Sequence, residues 1–446
     1  MIRLNTEIRK QLHDLVATLA SIERLRQRLR IPLYSNALYL MINSAVTAAL
    51  GLVFWILAAR FYLAEDVGLA SATISAMVLL SLLATLGLGY ALIRFLPNSG
   101  KAANAMINTC FTIAGLASTI IALIFIAGLG IWSPALLFLQ HDPVFLSAFI
   151  IFTATSTLYN LVGRTFVARR QAGFTLAQGA FFNVIRLVLV FFLAAFFATF
   201  GIFASWGIGH IVALGIGILL FLPKVQTGYR LFPLVKREVL SKMVHFSFTN
   251  YAATLIWFAP TFILPLMVVN LLGAEANAYF YIAWAIANVL FSVPLSTSFS
   301  LFAEGSYDEG RLGQNTRRSL VFTFAIIFPA LLLIILVGDK ILLLFSRAYA
   351  ENATSLLRVL AISALPLSLN NIYFGVKRVE MKMKSVVLLN AFIAIATLGL
   401  SWFLLPRMGI TGVGVAWLSS QGAVALAIIV IWASRIRKRL PRLGTR

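Results

Sequence analysis

The residues of this chain that could do chemistry inside an apolar environment are mostly arginines and amides. Arg186 lies about twelve residues into the apolar stretch 174–200, near the midplane of any bilayer that stretch crosses at about 1.5 Å per residue. A charge there costs about 2.5 to 3.5 kcal/mol on insertion scales, which makes an intramembrane arginine a candidate for function. Gln178, Asn183 and Arg186 fall within an arc of about 140° when drawn at about 100° per residue. A guanidinium grips phosphate or pyrophosphate through two parallel hydrogen bonds, so the chemistry expected of Arg186 is anion binding. The alternative is an arginine bonded to backbone carbonyls of a neighbouring helix. Arg94, Arg164 and Arg358 are further candidates, each close enough to a helix end to act as a snorkelling anchor instead.

Two polar stripes accompany these cations. Asn36, Asn43 and Thr47 align on the first apolar segment, and Asn250, Thr254, Trp257 and Thr261 on the seventh. Their positions correspond in the two halves of the chain, as expected if both line one cavity, although interhelical hydrogen bonding selects the same residue types. On the eighth segment Tyr281, Trp284 and Asn288 share a face. Ring faces beside an amide suit a sugar, and the same rings suit an interfacial belt.

The acidic residues lie in loops, in the N-terminal arm or at segment ends, so no intramembrane carboxylate is expected to relay protons or cations. A cation-coupled drug exporter is disfavoured on that ground. Glu65-Asp66 lacks a partner histidine or metal cluster and reads as a helix-turn feature. His13, His141, His210 and His245 are dispersed without ligand spacing, and Cys110 is the sole cysteine, so neither metal nor other cofactor is expected.

The elements that position these residues follow from composition. Of 446 residues 61% are hydrophobic and 11% charged, too little polar surface for a soluble protein of this length. A span needs about 20 mostly apolar residues. Such segments fall near 36–59, 69–96, 105–132, 144–168, 174–200, 202–222, 246–272, 277–303, 319–337, 355–376, 385–405 and 412–433. The fold class expected is therefore an all-α integral membrane protein of about twelve transmembrane helices.

Orientation follows the lysine and arginine bias of the loops. With the N-terminus inside, about 30 of the 36 basic residues face the cytoplasm, and Arg60, Lys340, Arg347 and Arg407 face outward. Both termini are thus expected in the cytoplasm of a cytoplasmic (inner) membrane. The net charge of +22 is a topology signal spread over many loops, which excludes a nucleic-acid footprint. Residues 1–31 hold seven lysines and arginines and no signal-peptide core; they read as an uncleaved basic amphipathic arm on the membrane surface.

A shift of about 210 residues pairs Leu63-Ala64-Glu65 with Gly273-Ala274-Glu275, and a shift of 211 pairs Gly201-Ile202-Phe203-Ala204-Ser205-Trp206 with Gly412-Val413-Gly414-Val415-Ala416-Trp417. Duplication of a six-helix unit gives two pseudo-symmetric bundles, 32–222 and 246–433, around a central cavity, joined by a basic linker at 223–245 and followed by a basic tail at 434–446.

The stretch Asn36 to Pro97 carries Gly51-Leu52-Val53-Phe54, Leu57-Ala58-Ala59-Arg60, Glu65-Asp66-Val67-Gly68 and Leu86-Gly87-Leu88-Gly89-Tyr90-Ala91-Leu92-Ile93-Arg94-Phe95-Leu96-Pro97. It resembles the opening of the O-antigen translocase-like polysaccharide flippases of the multidrug/oligosaccharidyl-lipid/polysaccharide exporter superfamily. The resemblance implies a V-shaped pair of bundles that passes polyprenyl-pyrophosphate-linked glycans across the membrane by alternating access, without chemical conversion. It further implies service to a glycan polymerase and glycosyltransferases in polysaccharide or lipopolysaccharide export. The basic arm is longer than the family leads one to expect, and twelve helices disfavour the fourteen-helix lipid II branch. Other readings are a multidrug exporter of the same superfamily, a membrane-embedded glycan-assembly enzyme, for which the outer loops are short, and a non-transporting scaffold.

Overall fold

A computed structural model describes residues 32–307 and 309–439, with side chains left undescribed at 32–37, 238–250, 303, 307, 309 and 433–439. The arm expected over residues 1–31 lies outside the described residues. Among the described residues, twelve helical stretches are long and apolar enough to cross a membrane, the number read from the sequence. Lipid offers no partner to backbone N–H and C=O groups, so each apolar run satisfies its own as a helix.

The first bundle comprises α1 (Pro32–Phe61), a second span made of α2 (Ala64–Ala84) and α3 (Leu88–Phe95), α4 (Ala103–Ala127), α5 (Pro143–Ala168), α6 (Ala172–Leu193) and α7 (Thr199–Ile216). The second comprises α8 (Arg237–Leu272), α9 (Ala274–Tyr307), α10 (Leu312–Leu343), α11 (Arg347–Val379), α12 (Met383–Met408) and α13 (Thr411–Arg439). Within the first, α1 packs on α6, α6 on α7 and α4 on α5; within the second, α11 packs on α9, α10 and α13, and α12 on α13. The bundles meet where α2 lies against α8 and α9.

Local sequence sets the turns. Asp142 accepts from the N–H groups of Val144 and Phe145 and precedes Pro143, which starts α5. Asp66 accepts from the Thr199 N–H at 3.0 Å and hydroxyl at 2.6 Å, tying the start of α2 to that of α7. That is the turn role read for the Glu65-Asp66 pair. Two turns are alike in backbone detail: Arg170 and Met381, 211 residues apart, have φ of 59° and 56°. The turns match bond for bond, Gln171 N–H to Phe166 O and Lys382 N–H to Lys377 O both at 2.9 Å.

The second span, read from sequence as one helix, is broken. Leu86 and Gly87 take φ of 47° and 74°, a left-handed pair that a continuous helix excludes. Irregular backbone at membrane depth is tolerated where it lines a cavity or is buried in protein.

Between the bundles, residues 226–236 run along α4. Tyr229 Oη donates to Asn108 Oδ1 at 2.7 Å, Asn108 Nδ2 to Arg230 O at 2.9 Å and Asn104 Nδ2 to Gly228 O at 2.9 Å. The N–H groups of Leu234 and Lys236 reach the hydroxyls of Thr112 and Thr109. Asn108 is 5% exposed, so its removal strands buried partners at a cost of about 1–3 kcal/mol. Asn108→Leu is expected to lower the thermal unfolding midpoint of the purified protein and to speed protease cleavage within 226–236. Unchanged cleavage would show that the strap does not hold the linker.

Candidate functional site

Helix packing creates two cavities on either side of Phe258 in α8, which lines both. The first, about 230 Å³, lies between the bundles. The break in the second span supplies Thr85, Gly87, Gly89 and Tyr90; α5 supplies Asn160 and Arg164; α8 supplies Tyr251, Thr254, Phe258 and Phe262. Arg164 is placed by packing on Gly89, where an added Cβ would lie 3.1 Å from its Cγ. Its guanidinium carbon is 5.8 Å from the centre of the Tyr90 ring. The bundles are bonded across this cavity: Tyr90 Oη and Thr254 Oγ1 are 2.8 Å apart, and Tyr251 Oη donates to Leu83 O at 2.5 Å beside the helix break. Arg164 is the only charged residue among the described residues lining it, so the cavity favours an anion.

The second cavity, about 210 Å³, is enclosed by the second bundle. Trp257, Thr261, Trp284, Asn288, Phe291, Asn371, Asn390, Trp417 and Gln421 are among its lining, which contains no charged side chain among the described residues. Trp284 and Trp417 meet edge to face at 5.2 Å.

Arg186 touches neither cavity. It is 2% exposed within the first bundle, caged by Trp206, Phe182 and Phe54 with ring centres 4.4, 4.7 and 5.1 Å from the guanidinium carbon. Such stacking stabilises a desolvated cation by about 2 kcal/mol or more. Nη2 donates to Asn183 Oδ1 at 2.6 Å, while Nε has no partner. The backbone-carbonyl alternative for Arg186 finds no support among its described bonds; its single hydrogen bond is to a side chain.

The residues singled out from sequence therefore divide. Arg164 lines the first cavity; Trp257, Trp284 and Asn288 line the second. Asn43 abuts Gly179 of α6, and Thr47 Oγ1 is 3.4 Å from Asn183 Nδ2, so both pack within the first bundle. The first and seventh helices thus do not present matching stripes to one shared cavity, because α1 turns its stripe toward α6. Arg94 is exposed on α3 and lines neither cavity, while Asn250 lies outside the described side chains. Tyr281 crosses the bundle interface to Trp55, with ring centres 4.7 Å apart. The belt reading of Tyr281 and Trp284 fails, since Trp284 is 4% exposed and packs in the core.

Sequence reasoning missed Tyr90, Asn160 and Tyr251 at the first cavity and Asn371, Asn390, Trp417 and Gln421 at the second. Trp417 carried a usable signal, its pairing with Trp206 in the repeat. Consecutive amides at Asn370-Asn371, inside an apolar helix, were another.

Comparison with known proteins bears on the fold. The MatE family model matches residues 252–403, about a third of the chain. No curated protein is significantly similar in sequence. Among solved structures, the inward-facing conformation of a multidrug resistance MATE family transporter of the MOP superfamily superposes with a TM-score of 0.68 at 14% identity, covering 92% of this chain and 100% of that one. Its outward-facing counterpart gives 0.60 at 15% identity over 91% and 96%. The lipid II flippase MurJ in an inward closed conformation gives 0.73 at 13% identity over 88% and 87%. The chain has the fold that these transporters share.

Proposed function

We propose that this chain is a transporter of the multidrug/oligosaccharidyl-lipid/polysaccharide exporter superfamily, and within it a flippase for polyprenyl-pyrophosphate-linked oligosaccharides. The observation that carries the reading is the character of the cavity between the bundles: one arginine and no carboxylate among its described lining residues, and a helix broken beside it. A pyrophosphate headgroup must shed water to cross, and a cation held among low-dielectric walls replaces part of that hydration. The fold shared with a lipid II flippase supports the same cargo class. The MatE match favours a second reading, a multidrug exporter. The lack of a carboxylate among the described residues lining these two cavities counts against a cation-coupled version of it.

On this reading the basic end of the bundle faces the cytoplasm. The opposite end is closed by Asn277 on Gly68 O and Ser71 Oγ, by Asn270 on Ser133 and Ala135, and by Arg60 on Leu344 O. Cargo enters from the cytoplasmic leaflet when the contacts of Tyr90 and Tyr251 release, and leaves when those at the other end do. Glycosyltransferases would supply the cargo and a polymerase would consume it. Nothing in the cycle breaks a covalent bond.

Deleting the gene is expected to leave lipid-linked oligosaccharide, complete in structure, on the cytoplasmic leaflet, with surface glycan reduced at least tenfold. Accumulated lipid that lacks a sugar would transfer the assignment to an assembly enzyme. Normal glycan with raised drug susceptibility would transfer it to a multidrug exporter.

A further inference from the structure

The two bundles are related by a shift of 211 residues, and the shift maps the Arg186 cage onto the cavity of the second bundle. Trp206 corresponds to Trp417, His210 to Gln421, Phe182 to Ile393 and Asn183 to Ala394, and the C-terminal member of each pair lines that cavity. Arg186 itself corresponds to Thr397. Where the first bundle fills its centre with a guanidinium between rings, the second has a short side chain, and a space remains. At about 210 Å³ the space far exceeds the about 10–15 Å³ that one water requires.

The lining of this space is specific. Trp284 and Trp417 each present an indole N–H that is buried without an acceptor, and Trp284 is 4% exposed. Asn288, Asn371 and Asn390 each donate to the carbonyl four residues back, at 2.8, 3.0 and 2.9 Å, which leaves the amide oxygen as the group available to a second partner. Residues that carry unmatched donors and available acceptors therefore line one space walled by indole rings. A hydroxyl both donates and accepts, and the C–H face of a pyranose stacks on an aromatic ring. A charged ligand would find no counterion here, and a purely apolar one would leave the buried indole N–H groups unmatched.

We infer, on the glycolipid reading of the cargo, that the cavity of the second bundle is a subsite for one neutral pyranose ring, with Trp284 and Trp417 as donors and stacking walls. Phe258 separates it from the arginine-bearing cavity, so a sugar seated here lies one residue away from the place proposed for its pyrophosphate. Recognition of the glycan and of its phosphate anchor is thereby divided between the bundles.

The test is saturation-transfer NMR on the purified full chain in nanodiscs with methyl glycosides of glucose, galactose, rhamnose and N-acetylglucosamine. At least one is expected to bind in the millimolar range. Trp284→Phe and Trp417→Phe keep the rings and lose one N–H each, and each is expected to weaken binding about three- to tenfold. Ala394→Leu, which fills the space, is expected to abolish it. If no glycoside binds the native chain, or if binding is unchanged in both phenylalanine variants, the subsite is refuted. Because glycoside binding needs no transport, a chain that binds sugar and moves no glycolipid would uphold the subsite and overturn the flippase. One that moves glycolipid without binding would do the reverse.

Discussion

Arg186→Met is expected to unfold at a higher temperature than the native chain while exporting about ten- to a hundredfold less glycan per inserted molecule. The native cation is 2% exposed, has one hydrogen bond, to Asn183, and leaves Nε without a partner. Replacing an incompletely matched buried charge by an apolar side chain of similar volume is often neutral or stabilising, by about 1–4 kcal/mol. Retaining such a charge at the centre of a membrane bundle suggests a second partner met in another state of the transport cycle, and the cargo phosphate would supply it. A hydrogen bond to a charged group contributes about 1.5–3 kcal/mol, or one to two decades of rate at about 1.36 kcal/mol per decade. Arg186→Lys is expected to keep part of the activity because it preserves the charge and loses the planar fork, and Arg186→Glu none. Full export by the methionine variant would sink the phosphate role. Failure of that variant to insert would show that the cation serves only to hold α1, α6 and α7 together.

Gly68→Ala is expected to pry the bundles apart at the end poor in basic residues. A Cβ on Gly68 would fall far inside van der Waals contact distance of the Ala274 carbonyl oxygen and 2.5 Å from its carbon. Backbone atoms cannot rotate away as a side chain can, so α2 and α9 must separate. Separation breaks the bonds from Asn277 to Gly68 O at 2.8 Å and to Ser71 Oγ at 3.0 Å. Asn277 is fully buried, and leaving it unmatched costs about 1–3 kcal/mol. The equilibrium between closed and open states of that end should move about tenfold or more toward open. Spin labels on exposed Leu63 and Leu344 should report a longer mean distance, and export should fall because the state receiving cargo from the cytoplasm is depopulated. Unchanged distances would show that this approach is not part of the gate.

Sequence by itself determined the spans, because a helix in lipid must satisfy its own backbone and the apolar runs have the length to do so. The shift that pairs Trp206 with Trp417 also pairs the Arg170 and Met381 turns, which have the same backbone form. Helix ends were less legible. α8 begins at Arg237 and α10 at Leu312, earlier than their apolar runs, because a helix continues through polar residues once its core is packed. The break at Leu86-Gly87 was invisible, since glycine in an apolar run is compatible with a helix and only contacts from α5 and α8 decide otherwise.

Which residues share a site was decided by tertiary structure alone. Periodicity places Trp257, Trp284 and Asn288 on helix faces, and it places Asn43 and Thr47 equally well, yet it does not say which face meets which. Packing turned α1 toward α6 and left α8 beside two cavities. Arg186 was singled out from sequence because a midplane charge is costly wherever it points. Its cage of Phe54, Phe182 and Trp206 comes from three helices, and no spacing along one chain encodes a meeting of side chains from three.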